Sequence, residues 1–331
     1  MRAFVLGALL VAMTACGGMK SERNTVTFVP AEASQKEPAK KHPPHIGKKR
    51  EPKPVPRPNR LLTLAEAQKY VLALVNRDRE SEGLLPLAWD ETAAKAGMRH
   101  AQDMARHGFT AHWGTDGSVP EQRHTEAGGS AMVMENAACF FDGKLRELDP
   151  NPRFRPEALE KIQAAFFNEK PPNDGHRRAI LTPWHTHLGV GLAQAVGSDV
   201  PCMAQELTSH YGTYEKLPKT AKRGQKVRVA GKVEEPAIVR GVGIARIDLP
   251  KPMTPERLNQ TGGYPVPAPF ATYFPEGFVT PIPLRVKGNR FEIEVPLDDG
   301  RRPGLYEVSV WGEVPETKDL VMLSLRTIRV E

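Results

Sequence analysis

Two folded domains, an α+β unit followed by an all-β unit, are predicted for this chain of 331 residues. Three observations predict them. Apolar residues recur at helical spacing as far as about residue 167, and they alternate in short runs after about residue 217. The 31 prolines and 28 glycines suit linkers and the tight turns of β structure. The length itself fits two or three domains. The formal net charge of +7 invites a nucleic-acid reading until it is located. Residues 61–331 hold 34 Lys and Arg against 35 Asp and Glu, so the whole excess precedes residue 61. No nucleic-acid partner is expected of folded domains with that balance.

The first 16 residues read as an address. Met1-Arg2 is followed by an apolar stretch, Ala3 to Met13, too short to span a bilayer and right for the core of a signal peptide. Met13-Thr14-Ala15-Cys16 resembles a bacterial lipobox, which implies a lipidated Cys16 and a membrane partner through that anchor; an ordinary secretory signal is the alternative. Residues 17–60 contain eight prolines, 11 basic residues and 4 acidic ones, with almost no large apolar side chains after Val29. That composition predicts a disordered Pro/Lys-rich tether. Its charge suits anionic lipid or wall polymer, or serves only to keep a spacer extended. An exported, membrane-anchored protein is the expectation. Cys139 and Cys202 then remain as an even pair in a compartment that permits a disulfide; two buried free thiols are the alternative.

The first folded domain, 61–216, opens on Thr63-Leu-Ala-Glu66, spaced as a capping box. Ala67, Tyr70, Val71, Leu74 and Val75 follow on one helical face, and Gly83 and Pro86 close the helix. A second helix is expected from about Asp90 to His107, with Gly108 as its C-terminal cap. His100 and His107, a heptad apart on it, read as surface or rim residues. A third starts near Pro156, with Leu159, Ile162, Ala165 and Phe166 on one stripe and Glu169 as an acid at its end. Strands are expected near Ala131–Phe140, Leu188–Ala193 and Cys202–Leu207.

These segments carry a family resemblance. VNRDRESEGLLPLAWD (75–90), RHAQDMARHGFTAHWGTDG (99–117), MENAA (134–138), FFNE (166–169) and GHRRAILTPWHTHLGVGLA (175–193) resemble, in order, the motifs of bacterial CAP domains. That superfamily includes cysteine-rich secretory proteins, antigen 5 and plant pathogenesis-related proteins. The resemblance implies an α-β-α sandwich and a cleft holding two His and two Glu. Motif by motif these are His112, Glu135, Glu169 and His176. Trp113, Asn136 and His187 are expected to line the same cleft.

Imidazoles suit borderline divalent metals such as zinc, and carboxylates can ligate or hold a bound water. A Glu beside such a water could act as a general base. The tetrad therefore reads as a metal or ligand site, as a buried hydrogen-bonded network, or as a catalytic metal site. No HExxH or GxSxG accompanies it, so no catalytic residue is assigned.

In the second domain, 217–331, strands are expected at Gln225–Val233, Ala237–Asp248, Arg290–Leu297, Leu305–Gly312 and Leu320–Val330, with a long Pro-rich loop at Pro265–Pro283. That spacing predicts an immunoglobulin-like β-sandwich. It holds 18 basic and 14 acidic residues against 16 and 21 in 61–216, which predicts a weak mutual attraction of the two domains. The functional expectation is a cell-envelope binding module taking a lipid, sterol or wall-glycan ligand. Its rivals are a metal-dependent hydrolase of peptide or wall polymer and a structural envelope protein.

Overall fold

The computed structural model describes residues 47–315 and 317–331. The signal segment, Cys16 and most of the tether lie outside them. Residues 47–60 are nevertheless part of the folded body, which corrects the expected tether end at residue 60. Gly47 and Arg50 donate backbone N–H groups to the carbonyls of Gly83 and Ser81 at 2.7 and 3.0 Å. They satisfy acceptors at a helix end that no intrahelical donor reaches. Arg57 pairs with Glu160, and Val55 packs on the core.

The first domain contains α1 (Leu64–Ser81), β1 (Ala88–Trp89), α2 (Glu91–His107), α3 (Pro120–Glu126), β2 (Met132–Ala138), α4 (Pro156–Phe167), α5 (Gly175–Ile180), β3 (His187–Gln194) and β4 (Pro201–Ser209). Local signals set the ends of its two long helices. The Thr63–Glu66 capping box forms at α1. Asp90 accepts from the N–H groups of Thr92 and Ala93 at α2, and Gly108 ends that helix at φ +66°, where a Cβ would be strained. Helix α4 stops at Phe167, so Glu169 lies beyond the helix rather than on its stripe.

The sheet order is β1-β3-β4-β2, with β2 at one edge. Alternation splits each strand between two helical layers. Leu188, Val190, Leu192, Met203 and Leu207 pack with α1, α4 and α5. Ala137, Ala193, Cys202 and Ala204 pack with Ala101, Met104 and Ala105 of α2. This is the expected α-β-α sandwich. Helix α2 lies unusually close to the sheet: a Cβ on Gly191 would meet the Gly97 carbonyl carbon at 2.0 Å. Cys139 and Cys202 form a disulfide with Cα atoms 4.3 Å apart, tying edge strand β2 to β4.

The second domain begins earlier than expected. Strand β5 (Gly212–Tyr214) already belongs to it. It continues with β6 (Thr220–Ala221), β7 (Lys226–Val233), β8 (Ile238–Ile247), α6 (Pro255–Leu258), β9 (Ala271–Tyr273), β10 (Arg285–Lys287), β11 (Arg290–Pro296), β12 (Gly304–Glu313) and β13 (Val321–Val330). Two sheets, β10-β11-β7-β5 and β6-β13-β12-β8-β9, enclose a core that includes Val229, Ile293, Val295, Val308 and Leu323. Tyr306 is buried, and its hydroxyl donates to the Arg302 carbonyl at 2.9 Å and accepts from the Asp299 N–H at 3.0 Å. A strand tyrosine bonded to backbone just upstream is the corner device of immunoglobulin-type sandwiches.

The domains are joined far more closely than weak charge attraction would give. The segment between β8 and β9 folds onto the first domain and supplies Leu258 to the core under α2. Asn259 accepts from Thr110 N–H at 3.0 Å and donates to the Gly108 carbonyl at 3.2 Å, completing the end of α2. Strand β13 packs on β2, and Ser324 Oγ donates to the Ser130 carbonyl just before that strand. No helix among the described residues is long and apolar enough to cross a membrane.

Candidate functional site

The four tetrad residues stand as two His–Glu pairs. His112 Nδ1 lies 3.0 Å from Glu135 Oε1, and His176 Nδ1 lies 2.6 Å from Glu169 Oε1. Strand geometry explains the separation. Glu135 and Asn136 are consecutive on β2, so they point to opposite faces of the sheet. Glu135 faces the α2 layer. Asn136 faces the α4 layer, donating to the His176 carbonyl at 3.3 Å and to Gln205 Oε1 at 3.2 Å. Among the described residues no group of three or more His, Cys, Asp and Glu side chains is placed to hold one metal ion.

The Glu135 side is a buried charge network, and most of its members were not expected from the sequence. Arg123 of α3, fully buried, donates to Glu135 Oε2 at 2.7 Å, to the His112 carbonyl at 3.0 Å and to the Ser118 carbonyl at 2.7 Å. His100 is buried as well, which corrects its reading as a surface residue. It shares the apolar stripe of α2 with Gly97 and Met104, and its Nε2 is 2.7 Å from the Ala111 carbonyl and 3.6 Å from Glu135 Oε1. Burial, with the Arg123 charge, lowers the His100 imidazole to about 4. Glu206 of β4 sits directly opposite Glu135 in the sheet.

Two neighbouring carboxyls cannot both ionise there. Burial and the adjacent Glu135 charge push Glu206 well above the usual carboxylate range, so it carries a proton. Burial also opposes ionisation of Glu135, but the Arg123 charge and the His112 hydrogen bond outweigh it. One carboxylate, one guanidinium and one neutral carboxyl therefore balance in the interior.

The second pair is held by backbone. Glu169 Oε2 accepts from the His176 N–H at 2.9 Å and the Arg177 N–H at 3.4 Å, so the carboxylate caps the start of α5. The His176 ring stacks on Phe166 with centroids 4.6 Å apart, and its Nε2 is buried with no hydrogen-bond partner. A run of side-chain amides from Asn136 through Gln205 and Gln163 to Asp78 fixes this corner. Arg177 pairs with Glu82 at 2.7 Å and lies over Phe167, a bracing role rather than a ligand contact.

The remaining expected residues part company. Trp113 meets Tyr264 of the second domain edge-on at 5.0 Å. Together they border an interdomain depression of about 650 Å³, lined also by Val119, Leu249, Met253 and Val266. His187 belongs elsewhere: it stacks on His210 at 4.1 Å, and His210 Nε2 lies 2.7 Å from the Asp90 carboxylate. The polar pair Gln205-Glu206 inside the otherwise apolar strand β4 was the sequence signal for buried partners. Arg123, on a helix of seven residues, gave none.

Comparison with known proteins agrees with the motifs. Residues 72–203 match the CAP family, described as the cysteine-rich secretory protein family. The chain is 28% identical over 128 residues to the uncharacterized protein YkwD of Bacillus subtilis (strain 168), covering 39% of this chain and 43% of that one. It is 29% identical over 131 residues to the uncharacterized membrane protein YlbC of the same organism, covering 38% and 31%. It thus spans less than half the length of these relatives. A solved structure of an extracellular protein containing a SCP domain from Bacillus anthracis str. Ames aligns over 43% of this chain and 40% of that one, at 19% identity and a TM-score of 0.33. Sequence motifs and the family match together establish that this chain carries, at residues 72–203, a CAP domain of the kind found in these bacterial proteins.

Proposed function

We propose that the chain is an exported binding module of the cell envelope, anchored through Cys16, and that its CAP domain holds a ligand rather than hydrolysing one. The observation that carries this reading is the occupancy of the carboxylates. Both oxygens of Glu135 and both of Glu169 are already engaged by His, Arg or backbone N–H groups. A general base needs a lone pair open to its substrate, and the Glu135 and Glu169 side chains are 0% and 7% exposed. These carboxylates serve instead to fix two imidazoles, each through Nδ1. That is the outer-sphere role which orients a histidine for ligation through Nε2.

A borderline divalent cation such as zinc would be held by the His176 imidazole nitrogen, with Glu169 as its outer support. The buried, unpartnered Nε2 of His176 is the observation that fits. When bound, the ion would supply an open coordination position for a ligand donor. The interdomain depression, with Trp113 at its border, has an apolar lining that suits a lipid or sterol better than a wall glycan, whose hydroxyls need many fixed donors and acceptors.

Native mass spectrometry of protein purified without a nickel column, titrated with zinc, tests this. One zinc per chain is expected for the wild type. His176→Ala should weaken it at least about tenfold. A wild type that takes up no zinc would remove the cation and leave the two pairs as internal struts.

A further inference from the structure

The outward face of sheet β10-β11-β7-β5 carries an arrangement that fold stability does not explain. Lys287 pairs directly with Arg290 across β10 and β11, and Arg290 pairs directly with Lys232 across β11 and β7. Three cations thus stand side by side in one cross-strand row. Directly opposed like charges destabilise a sheet. Charged edge strands discourage unwanted pairing, which would account for β10. It does not account for Arg290 or Lys232, which lie on the two inner strands. Among the described residues no carboxylate comes within 4.0 Å of Lys287 or Arg290, and Lys232 reaches Glu234 only at 4.0 Å.

The rest of the face is balanced, so its net positive charge is that of the row. Lys226, Arg228 and Arg285 accompany the row, against Glu215, Glu292 and Glu294. Arg228 is shared between Glu215 and Glu292, and Arg285 reaches Glu292 at 3.5 Å. The surface is concave. A depression of about 550 Å³ bordered by the cation row adjoins a second of about 380 Å³ bordered by Lys226 and Glu294, with Arg228, Arg285 and Glu292 common to both. From Lys226 to Lys232 this trough runs roughly 20 Å along β7, and three strands make it roughly 10 Å wide.

We infer that this face of the second domain is a binding trough for a single-chain phosphodiester polymer. Each phosphodiester has two free oxygens, one for each member of an opposed cation pair, and the unpaired Arg290 fork suits such oxyanions. An elongated trough fits one extended chain; a bilayer surface would meet a flat or convex cationic patch, and a duplex is too broad. The site lies on the second domain and is independent of the His–Glu pairs.

The test is fluorescence anisotropy of a labelled poly(glycerol phosphate) oligomer with the whole protein, over a series of salt concentrations. Wild type should bind with an affinity that falls as salt rises. The triple variant Lys232→Gln, Arg290→Gln, Lys287→Gln should lose at least about tenfold, and the salt slope should shrink by about 2, as expected for three lost contacts to a single chain. Its melting temperature should hold or rise, since opposed like charges are removed. No binding by the wild type, or equal binding by the triple variant, would overturn the inference. So would stronger binding to phosphatidylglycerol vesicles, to duplex DNA or to polyglutamate of matched charge than to the polymer.

Discussion

Arg123→Met is expected to cost the protein about 3–5 kcal/mol of stability, the usual penalty for stripping the partner from a buried charge. Arg123 is 2% exposed, and its guanidinium is the one full positive charge set against Glu135. Methionine fills much of the same space, so the loss is electrostatic rather than a cavity. The double variant Arg123→Met, Glu135→Gln removes both charges and should recover a large part of it, because an uncharged amide is far cheaper to bury than a carboxylate. Urea unfolding of the wild type, both single variants and the double variant closes the cycle.

The effect has a pH signature. Glu135 is held below the usual carboxylate range, so its contribution is present above the unfolded value near 4.3 and disappears as pH falls through the folded value. The gap between wild type and Arg123→Met should therefore narrow in acid. A single-variant loss under about 1 kcal/mol at pH 7, or no recovery in the double variant, would mean that the network carries little energy.

What the residues alone reveal about this site is uneven, and the unevenness has physical causes. The capping box at Thr63, the Asp90 cap and the Gly108 stop are local chemistry, and α1 and α2 begin and end where those residues place them. Motif resemblance brought His112 to Glu135 and His176 to Glu169, because it reports contacts that no local pattern encodes. It could not report that β2 would send the two pairs to opposite faces, which depends on the register of an edge strand. His100 was within reach: its place between Gly97 and Met104 on the buried stripe of α2 says interior. Glu206 and Gln205 were also legible as polar residues in an apolar strand. The docking of Tyr264 and Leu258 was not, since a Pro-rich loop carries no sign of which surface it will cover. The cation row becomes visible only once pairing is known, because Lys232, Lys287 and Arg290 are far from unusual in their own strands.

The interface between the domains should be pH-sensitive, and Glu307→Gln is expected to show it. Glu307 of β12 faces Glu121 of α3 across that interface, with the Tyr264 hydroxyl donating to Glu121. Both carboxyls are buried, and two such neighbours cannot both ionise there. Burial, reinforced by the neighbouring Glu121, pushes Glu307 up to about 10. A carboxyl raised in the folded state contributes fully below its unfolded pKa near 4.3 and progressively less as pH climbs toward the folded value. Wild-type stability should therefore fall by up to about 1.4 kcal/mol per pH unit from this one proton between about pH 5 and 9.

Glutamine keeps the shape and has no charge to bury as pH rises. Glu307→Gln should be nearly neutral at pH 4 and stabilising by about 3 kcal/mol at pH 7, with a flatter profile above that. Thermal melts of the two proteins from pH 4 to pH 9 measure it. Parallel profiles would show that Glu307 is ionised in the folded protein and that the interface tolerates its charge. Profiles that diverge as pH rises would identify the acid pair as the element that loosens the two domains in alkali, since no other buried carboxyl pair spans α3 and β12 among the described residues.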